Sequence, residues 1–344
     1  MSKILIIYTG GTIGMVQDIK TGALEAFKFD QLMDEVPELE KFNFTISVHS
    51  FDKPIDSSNA GISFWLDLAE VIETNYEDYD GFVVLHGTDT MSYTASALSF
   101  ILKGLSKPVI LTGSQVPIGM LRTDGKENLI SAIEIAASKK GSKPIVSEVA
   151  IYFENELHRG NRTIKLNAAH FNAFSSPNYP DLAKAGIFIH YDYSALKPYK
   201  EQALTLRKNF CLDVIIIKLF PGMTEDVFNS MIEIPGLKGV VLETFGSGNA
   251  PQFDWFYRGL ENAIKKGIII INITQCIEGF VVQGRYSTSV ELNRLGLVNG
   301  LDLTTEAALV KLMMVLAIED DPMQAKSLLL EPWAGELTTS STYF

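Results

Sequence analysis

The sequence predicts an α/β protein with two domains. Short apolar runs alternate with segments of helical spacing, and this alternation lapses once, shortly after the middle of the chain. Short continuous apolar runs are typical of strands buried on both faces of a parallel sheet. With 344 residues, of which 47% are hydrophobic and 20% charged, the chain is large enough for two cores.

The predicted elements follow one another in a regular order. The candidate strands are residues 4–7, 82–85, 109–111, 149–153, 214–217, 240–242 and 268–271. The candidate helices between and after them are residues 62–76, 90–102, 127–137, 254–266 and 304–316.

The polar stretch from Tyr191 to Cys211 contains Pro198 and several lysines, and the strand–helix rhythm resumes at Val214. We therefore expect an N-terminal catalytic domain at 1–190, a linker at 191–212 and a C-terminal domain at 213–344.

Composition argues against several classes of protein. A formal net charge of -12, without a visible Lys/Arg cluster, disfavours binding to nucleic acid or to an anionic membrane. No apolar stretch approaches the ~20 residues of a membrane span, and residues 4–8 are too few for a signal peptide, so we expect a cytoplasmic protein. Cys211 and Cys276 are far apart and lack a CxxC or Cys/His cluster, which predicts buried, reduced thiols and no metal site.

Two segments directly after predicted strands are candidates for a binding site, because ligands of open parallel sheets bind beyond the carboxyl ends of the strands. Residues 9–14 read TGGTIG, and residues 86–90 read HGTDT before a helix. Paired glycines let a ligand approach backbone N–H groups, and a helix N-terminus attracts an anion. For each segment taken alone, the simpler explanation is favoured, namely a tight turn in the first and helix capping by Thr88, Asp89 or Thr90 in the second.

Two further segments add polar groups. Residues 56–59 read DSSN and precede a helix, where capping is the simple explanation. Residues 159–165 read RGNRTIK, which is basic in an acidic protein and would ordinarily be a solvated loop.

Together these segments contain the groups that amide hydrolysis needs, namely a nucleophile, a base, oxyanion donors and substrate-binding groups. GxSxG, HExxH and nucleotide-binding motifs are missing from the sequence. His86 lies within these segments, and the other histidines, His49, His158, His170 and His190, are taken as structural.

Taken in order, TGGTIG at 9–14, HGTDTM at 86–91 and TGSQ at 112–115 resemble the bacterial L-asparaginase family. RGNRT at 159–163 with Lys165, GNAP at 248–251 and TQC at 274–276 look specifically like its cytoplasmic type I branch. The resemblance spans nearly the whole chain. It implies an asparaginase-like fold, in which a larger N-terminal, mostly parallel sheet with flanking helices is followed by a smaller C-terminal α/β domain.

The resemblance also implies roles for individual residues. Thr12 would attack the amide carbon of L-asparagine, and Thr88, Asp89 and Lys165 would form a hydroxyl–carboxylate–amine group beside it. Backbone N–H groups near Thr88 and Ser114 would bind the oxyanion. Ser57 would bind the substrate α-carboxylate, with Asp56, Ser58 and Gly87 as further substrate-binding candidates.

No cofactor or metal is expected from the family. Its members form dimers, often paired into tetramers, and Asn249 is the candidate for reaching a partner's site.

Two departures from the family pattern affect these expectations. Family members commonly carry a tyrosine on the loop after the first motif, but residues 21–24 read TGAL and no tyrosine occurs between Met15 and Asp56. Phe27 would replace only its bulk, so we expect a lower rate. Some type I enzymes bind asparagine at a second, allosteric site through an arginine where Glu243 stands here, and Ile164 is apolar where a hydroxyl would help. We therefore expect hyperbolic kinetics.

Three alternatives remain open at this stage. The chain could be the asparaginase-like amidotransferase subunit that acts on misacylated tRNA, although its first strand begins at once, without the extra N-terminal domain of those subunits. A silent amino-acid-binding protein would need the binding groups but not Lys165. A glutaminase side activity would require only one more methylene, worth ~1–3 kcal/mol of discrimination.

Overall fold

An eight-stranded sheet organises the first of two units into which the chain divides, Met1–Arg207 and Lys208–Phe344. The structure, a computed structural model, describes residues 1–17, 24–26, 36–284 and 287–339. Its strands are β1 (Lys3–Gly10), β2 (Met15–Gln17), β3 (Leu24–Ala26), β4 (Thr45–Ile55), β5 (Gly81–Leu85), β6 (Leu102–Lys103), β7 (Val109–Thr112), β8 (Lys139–Lys140), β9 (Lys143–Pro144), β10 (Val149–Phe153), β11 (Glu156–Arg159), β12 (Ile164–Lys165), β13 (Phe174–Ser175), β14 (Ala183–Ala185), β15 (Ile189–Tyr191), β16 (Thr205–Leu206), β17 (Val214–Lys218), β18 (Gly239–Thr244), β19 (Ile269–Thr274) and β20 (Val298–Asn299). Its helices are α1 (Ile62–Thr74), α2 (Met91–Ile101), α3 (Gly125–Ala137), α4 (Glu225–Ile232), α5 (Asp254–Lys265), α6 (Ser287–Leu295), α7 (Thr305–Val315) and α8 (Pro322–Leu330).

The large sheet has the strand order β15-β14-β11-β10-β7-β5-β1-β4. Strands β4, β1, β5, β7 and β10 run parallel, whereas β11, β14 and β15 continue the sheet in antiparallel fashion. Every residue of β5, β7 and β10 is buried, because helices cover a parallel sheet on both faces. The predicted α/β fold with a mostly parallel N-terminal sheet is confirmed.

The second unit contains a smaller sheet of four parallel strands, β17-β18-β19-β20. Its core is made by apolar residues of the strands and of helices α4 and α5, including Val240, Ile270, Phe228 and Phe256. The three C-terminal runs expected to be strands all lie in this sheet, which confirms the smaller α/β domain.

Elements without a continuous apolar run were missed by the sequence prediction. Strand β4 pairs with β1 in parallel along its length, but most of its side chains are exposed or half-buried. It is an edge strand, and its composition is therefore polar. Helices α4, α6 and α8 were also not predicted.

The first unit continues through Arg207. Strand β16 pairs with β6, and the Arg207 N–H donates to the carbonyl of Ile101 at 2.9 Å. Much of the segment expected to be a linker, 191–212, therefore lies in the first unit in this structure.

Both cysteines are free, but they differ in burial. Cys211 is buried, whereas Cys276 is exposed, so the prediction of two buried thiols is wrong for Cys276. Cys276 follows the end of β19, and its backbone N–H donates to Thr274 Oγ1 at 3.0 Å in a turn. Within the described ranges, none of the helices is both long and apolar enough to cross a membrane.

Candidate active site

Three of the motif segments meet at two glycines. Gly11 has φ of 86°, and a Cβ placed on it would lie 2.5 Å from the backbone N of Gly87. A Cβ on Gly87 would in turn lie 2.5 Å from Ser57 Oγ. Only residues without a side chain allow this approach. Segments 9–14, 56–59 and 86–90 are therefore in direct contact, which explains the glycines better than an isolated tight turn does.

Thr12 begins a short 3-10 turn, Thr12–Gly14, directly after Gly11. It is half-buried, whereas Gly11 and Ile13 on either side are buried. The hydroxyl of Tyr8 donates to the carbonyl of Gly14 at 3.1 Å and holds the end of the turn. Thr12 is thus at the rim of the contact between Gly11 and Gly87.

His86 is a structural residue. Its ring is buried, and desolvation lowers the pKa of His86 to about 4, although the nearby Gly87 carbonyl opposes the shift. Nδ1 lies 2.6 Å from the Gly87 carbonyl, and Nε2 lies 2.9 Å from Thr94 Oγ1, which also accepts from Trp65 Nε1. This network favours the neutral tautomer with the proton on Nδ1. His86 therefore fixes the Gly87 peptide and does not act as a base near neutral pH.

Lys165 joins segment 159–165 to segment 86–90. Its Nζ donates to Thr88 Oγ1 at 2.9 Å and to Asp89 Oδ1 at 2.6 Å. Lys165 is held by the pairing of β12 with β13, opposite Phe174. The Lys165 side chain is 19% exposed and that of Asp89 is 65% exposed. A hydroxyl, an amine and a carboxylate are thereby linked at an opening to solvent.

Helix capping was the simple explanation for the polar residues at 56–59 and at 86–90, and it accounts for the first of these two segments. Asp56 caps the turn Ser57–Asn59, accepting from Ser58 N and Ser58 Oγ at 2.9 Å each. The hydrogen bond from the Ser58 N–H, followed by that from its hydroxyl, lowers the pKa of Asp56.

Capping does not explain the other segment. Helix α2 has Thr90 at its N-cap without a capping hydrogen bond from the side chain. The Thr90 hydroxyl instead donates to the carbonyl of Ser57 at 2.7 Å and ties the two segments together.

The loop after β7 contains Ser114, which is buried. Its hydroxyl has no hydrogen-bond partner among the described residues. Asp124 accepts from the backbone N–H groups of Gln115 and Val116, and Asn128 Nδ2 donates to the carbonyl of Gly113 at 3.0 Å. These contacts hold the peptides of the loop in place.

Three residues in or beside this loop were not among the site residues predicted from the sequence. Gln115 Oε1 lies 3.4 Å from Thr88 Oγ1, and its Nε2 donates to the His170 carbonyl. Gln115 stands in the TGSQ segment, which was a usable signal. Asp124 and Asn128 had no comparable signal, because a carboxylate and an amide at the start of a helix are common there.

The explanation of residues 159–165 as a solvated basic loop is wrong. Arg159 and Arg162 are 6% and 2% exposed. Arg159 Nε lies 2.6 Å from Glu148 Oε2, and its guanidinium stacks over Tyr179. Burial of these arginines is tolerated because partners replace water, and the segment is thereby fixed ahead of Lys165.

Two other predicted residues lie in the second unit. Asn249 forms an antiparallel bridge with Phe245 in the loop after β18. Glu243 is 9% exposed and accepts from Thr305 Oγ1 at 2.6 Å. The positions Thr21, Gly22, Ala23 and Phe27, which bear on the missing loop tyrosine, lie outside the described residues.

Comparison with known proteins covers both units. Residues 3–197 match the family model described as Asparaginase, N-terminal, and residues 213–329 match the Glutaminase/Asparaginase C-terminal domain. L-asparaginase 1 of Escherichia coli (strain K12) is 41% identical over 340 residues, covering 98% of each chain. The crystal structure of L-asparaginase I from Vibrio cholerae O1 biovar eltor str. N16961 has 37% identity and a TM-score of 0.89, covering 98% of this chain and 99% of that one.

A longer relative also matches. The 60 kDa lysophospholipase of Mus musculus is 38% identical over 366 residues, which cover 99% of this chain and 63% of that protein. The matched family models and the full-length similarity to two type I proteins agree with the motifs at 9–14, 86–91, 112–115 and 159–165. The chain therefore belongs to the asparaginase family, on its type I branch.

Proposed function

We propose that this chain is an L-asparaginase, which hydrolyses the side-chain amide of L-asparagine to L-aspartate and ammonia. The observation that carries the proposal is the contact of Lys165 Nζ with both Thr88 and Asp89, next to the glycine contact that brings the Thr12 turn against the Thr88 loop. A threonine held against one amine and one carboxylate, with a second threonine on the adjoining turn, suits nucleophilic attack on an amide.

In the proposed reaction, Thr12 Oγ attacks the amide carbon of asparagine. Its proton passes through the Thr88–Lys165 pair, the C–N bond breaks, and ammonia leaves. Water then attacks the threonine ester, releases aspartate and restores Thr12. Backbone N–H groups near Thr88 and Ser114 would stabilise the oxyanion in both steps. The contacts of Asp124 and Asn128 hold the loop that contains Ser114 in place for this role.

The substrate's charged ends would bind on either side of Gly87. We assign its α-carboxylate to Ser57, which is buried against Gly87, and its ammonium to Asp89, which is open to solvent. Ser58 and Asp56 would contribute by shaping the turn, since their side chains bond to each other.

We also infer, from the resemblance to the type I branch, a cytoplasmic homodimer or dimer of dimers in which Asn249 completes a partner's site. The test is to coexpress Thr12→Ala with Asn249→Ala, each of which should be nearly inactive alone. Hybrid oligomers would contain sites with both residues intact, and activity should partly return. If hybrids that form by light scattering remain as inactive as the single variants, the cross-subunit role is wrong.

The function is tested by ammonia release from L-asparagine and L-glutamine in parallel. We expect asparagine turnover by the wild type, a loss of about 10³-fold or more in Thr12→Ala, and partial activity in Thr12→Ser, which keeps a hydroxyl. Release from neither amide by the wild type would contradict the proposal and favour a silent binder or a partner-dependent amidotransferase. Glutamine turnover equal to that of asparagine would make the chain a mixed amidohydrolase.

A further inference from the structure

A histidine and two carboxylates converge at the antiparallel end of the large sheet. They are Glu156 and His158 on β11 and Asp181, which lies just before β14. Glu156 and His158 are two residues apart on one strand, so their side chains emerge on the same face. Pairing of Glu156 with Lys184 and of Leu157 with Ala183 fixes β14 beside them. In the part of the chain that the structure describes, this is the one such group with metal-ligand spacing.

One ligand atom from each of the three residues can be chosen so that all lie within 4.8 Å of one another. His158 Nδ1 lies 2.9 Å from Asp181 Oδ1, and His158 Nε2 lies 3.8 Å from Glu156 Oε2. Imidazole nitrogen and carboxylate oxygen are ordinary ligands of Zn²⁺ and related ions.

The imidazole of His158 is the buried member of this group. The residue is 2% exposed, and although Nδ1 lies 2.9 Å from Asp181 Oδ1, that contact lacks the alignment of an ordinary hydrogen bond. Its short approach to Asp181 thus places two ligand atoms side by side without a well-aligned N–H donor between them. A buried ring nitrogen without a well-made hydrogen bond is costly unless another partner completes it.

The ammonium group of a lysine side chain already neutralises the two carboxylates. Lys184 Nζ lies 2.9 Å from Glu156 Oε1 and 2.9 Å from Asp181 Oδ2. The Lys184 side chain is 64% exposed. It can therefore turn into solvent and leave both carboxylates to an ion.

We propose that Glu156, His158 and Asp181 bind a divalent transition-metal ion of the zinc type, and that Lys184 competes with it for the two carboxylates. The ion would join β11 to the segment before β14 and would stabilise the first unit by binding to the folded state alone. The sequence led us to take His158 as structural because the histidines are scattered along the chain and Asp181 is distant from His158 in the sequence.

The test is calorimetric titration with ZnCl₂ near neutral pH. Cys276→Ser serves as the parent protein, because the exposed thiol of Cys276 could itself bind zinc. We expect one zinc ion bound per chain, with tighter binding in Lys184→Met, because the competing ammonium is gone. Asp181→Asn should weaken binding by at least about tenfold, since even groups that only orient a metal ligand contribute 10–100-fold.

The matched control is His49→Gln, which removes an exposed histidine from strand β4 at the opposite edge of the sheet and should leave the affinity unchanged. The melting temperature supplies a second readout. Zinc should raise it in the parent protein and in His49→Gln, and less in Asp181→Asn. Absence of zinc binding by the parent protein overturns the proposal, and so does equal affinity in the parent and Asp181→Asn.

Discussion

At the residue scale, Lys165 is the group that the proposed hydrolysis needs and that substrate binding alone would not. It contacts Thr88 and Asp89, which stand 77 and 76 residues earlier in the chain. An amine so placed can take a proton from a hydroxyl and return it to a leaving group. Substrate binding, in contrast, is assigned to Ser57 and Asp89.

We predict that Lys165→Met lowers kcat for asparagine by about 10²–10⁴-fold, the usual contribution of a positioned acid–base group. Aspartate affinity should change little, because the substrate-binding groups remain. Steady-state kinetics and aspartate titration measure the two effects. Lys139→Met is the matched control, since Lys139 pairs with Asp80 at 2.9 Å and has no proposed role in the reaction. Near-normal turnover in Lys165→Met would contradict the assigned role.

Sequence motifs named these candidate residues, but not the contacts between them. Thr12, Thr88 and Ser57 could be named because they stand in segments with glycines or helix starts. The approach of Gly11 to Gly87 and of Gly87 to Ser57 depends on the relative position of three strands, which local pattern does not encode. For the same reason Gln115 was passed over and the burial of Arg159 was not foreseen.

At the element scale, helix α7 carries a carboxyl group at an unfavourable place. Thr304 caps the helix, its side chain accepting from Ala307 N. Glu306 lies in the first turn, where the helix dipole favours a negative charge. Desolvation nevertheless raises the pKa of Glu306 to about 7, and the nearby charge of Glu243 adds to the rise. Glu306 Oε2 has no hydrogen-bond partner among the described residues.

We predict that Glu306→Gln raises the melting temperature at pH ~8 but not at pH ~5. The folded-state pKa lies above the ordinary value of 4.5, so the stability contributed by the protonated carboxyl is lost as pH rises through about 7. Glutamine does not ionise and avoids this loss. Calorimetry at both pH values measures it, with Glu225→Gln, at the exposed first turn of α4, as the control. An equal effect of Glu306→Gln at both pH values would show that ionisation is not the cause.

Strands and helices whose residues are buried without interruption could be predicted from the sequence, whereas those with many exposed residues could not. The parallel strands β5, β7 and β10 are apolar because both of their faces are covered. Edge strand β4 has no such signature. Within α7, Lys311 is a charged residue in an otherwise apolar run, and charged side chains are ordinarily exposed. It is instead fully buried, its Nζ donating to the carbonyl of Leu329 and to Glu336 Oε1, a pairing that sequence spacing could not supply.

At the scale of the whole molecule, the central question is whether a second asparagine regulates the first. Allosteric control needs a distinct site that binds the effector with different affinity in two states. In the type I pattern an arginine would bind the effector's carboxylate where this chain has Glu243. The buried Glu243 carboxylate accepts from Thr305, and its Oε2 lies 3.7 Å from Lys218 Nζ. Glu306 adds a second carboxyl nearby.

We predict hyperbolic kinetics in asparagine, with a Hill coefficient of about 1, because two carboxyl groups against one exposed ammonium disfavour a second carboxylate at this place. Initial rates over a wide range of asparagine concentration measure this. Glu243→Gln keeps the shape of the side chain and its bond to Thr305 while removing the charge, and it should leave KM unchanged, since Glu243 has no assigned role in the reaction. A clearly sigmoidal curve for the wild type would contradict the prediction. It would require an effector site that does not depend on an arginine at position 243.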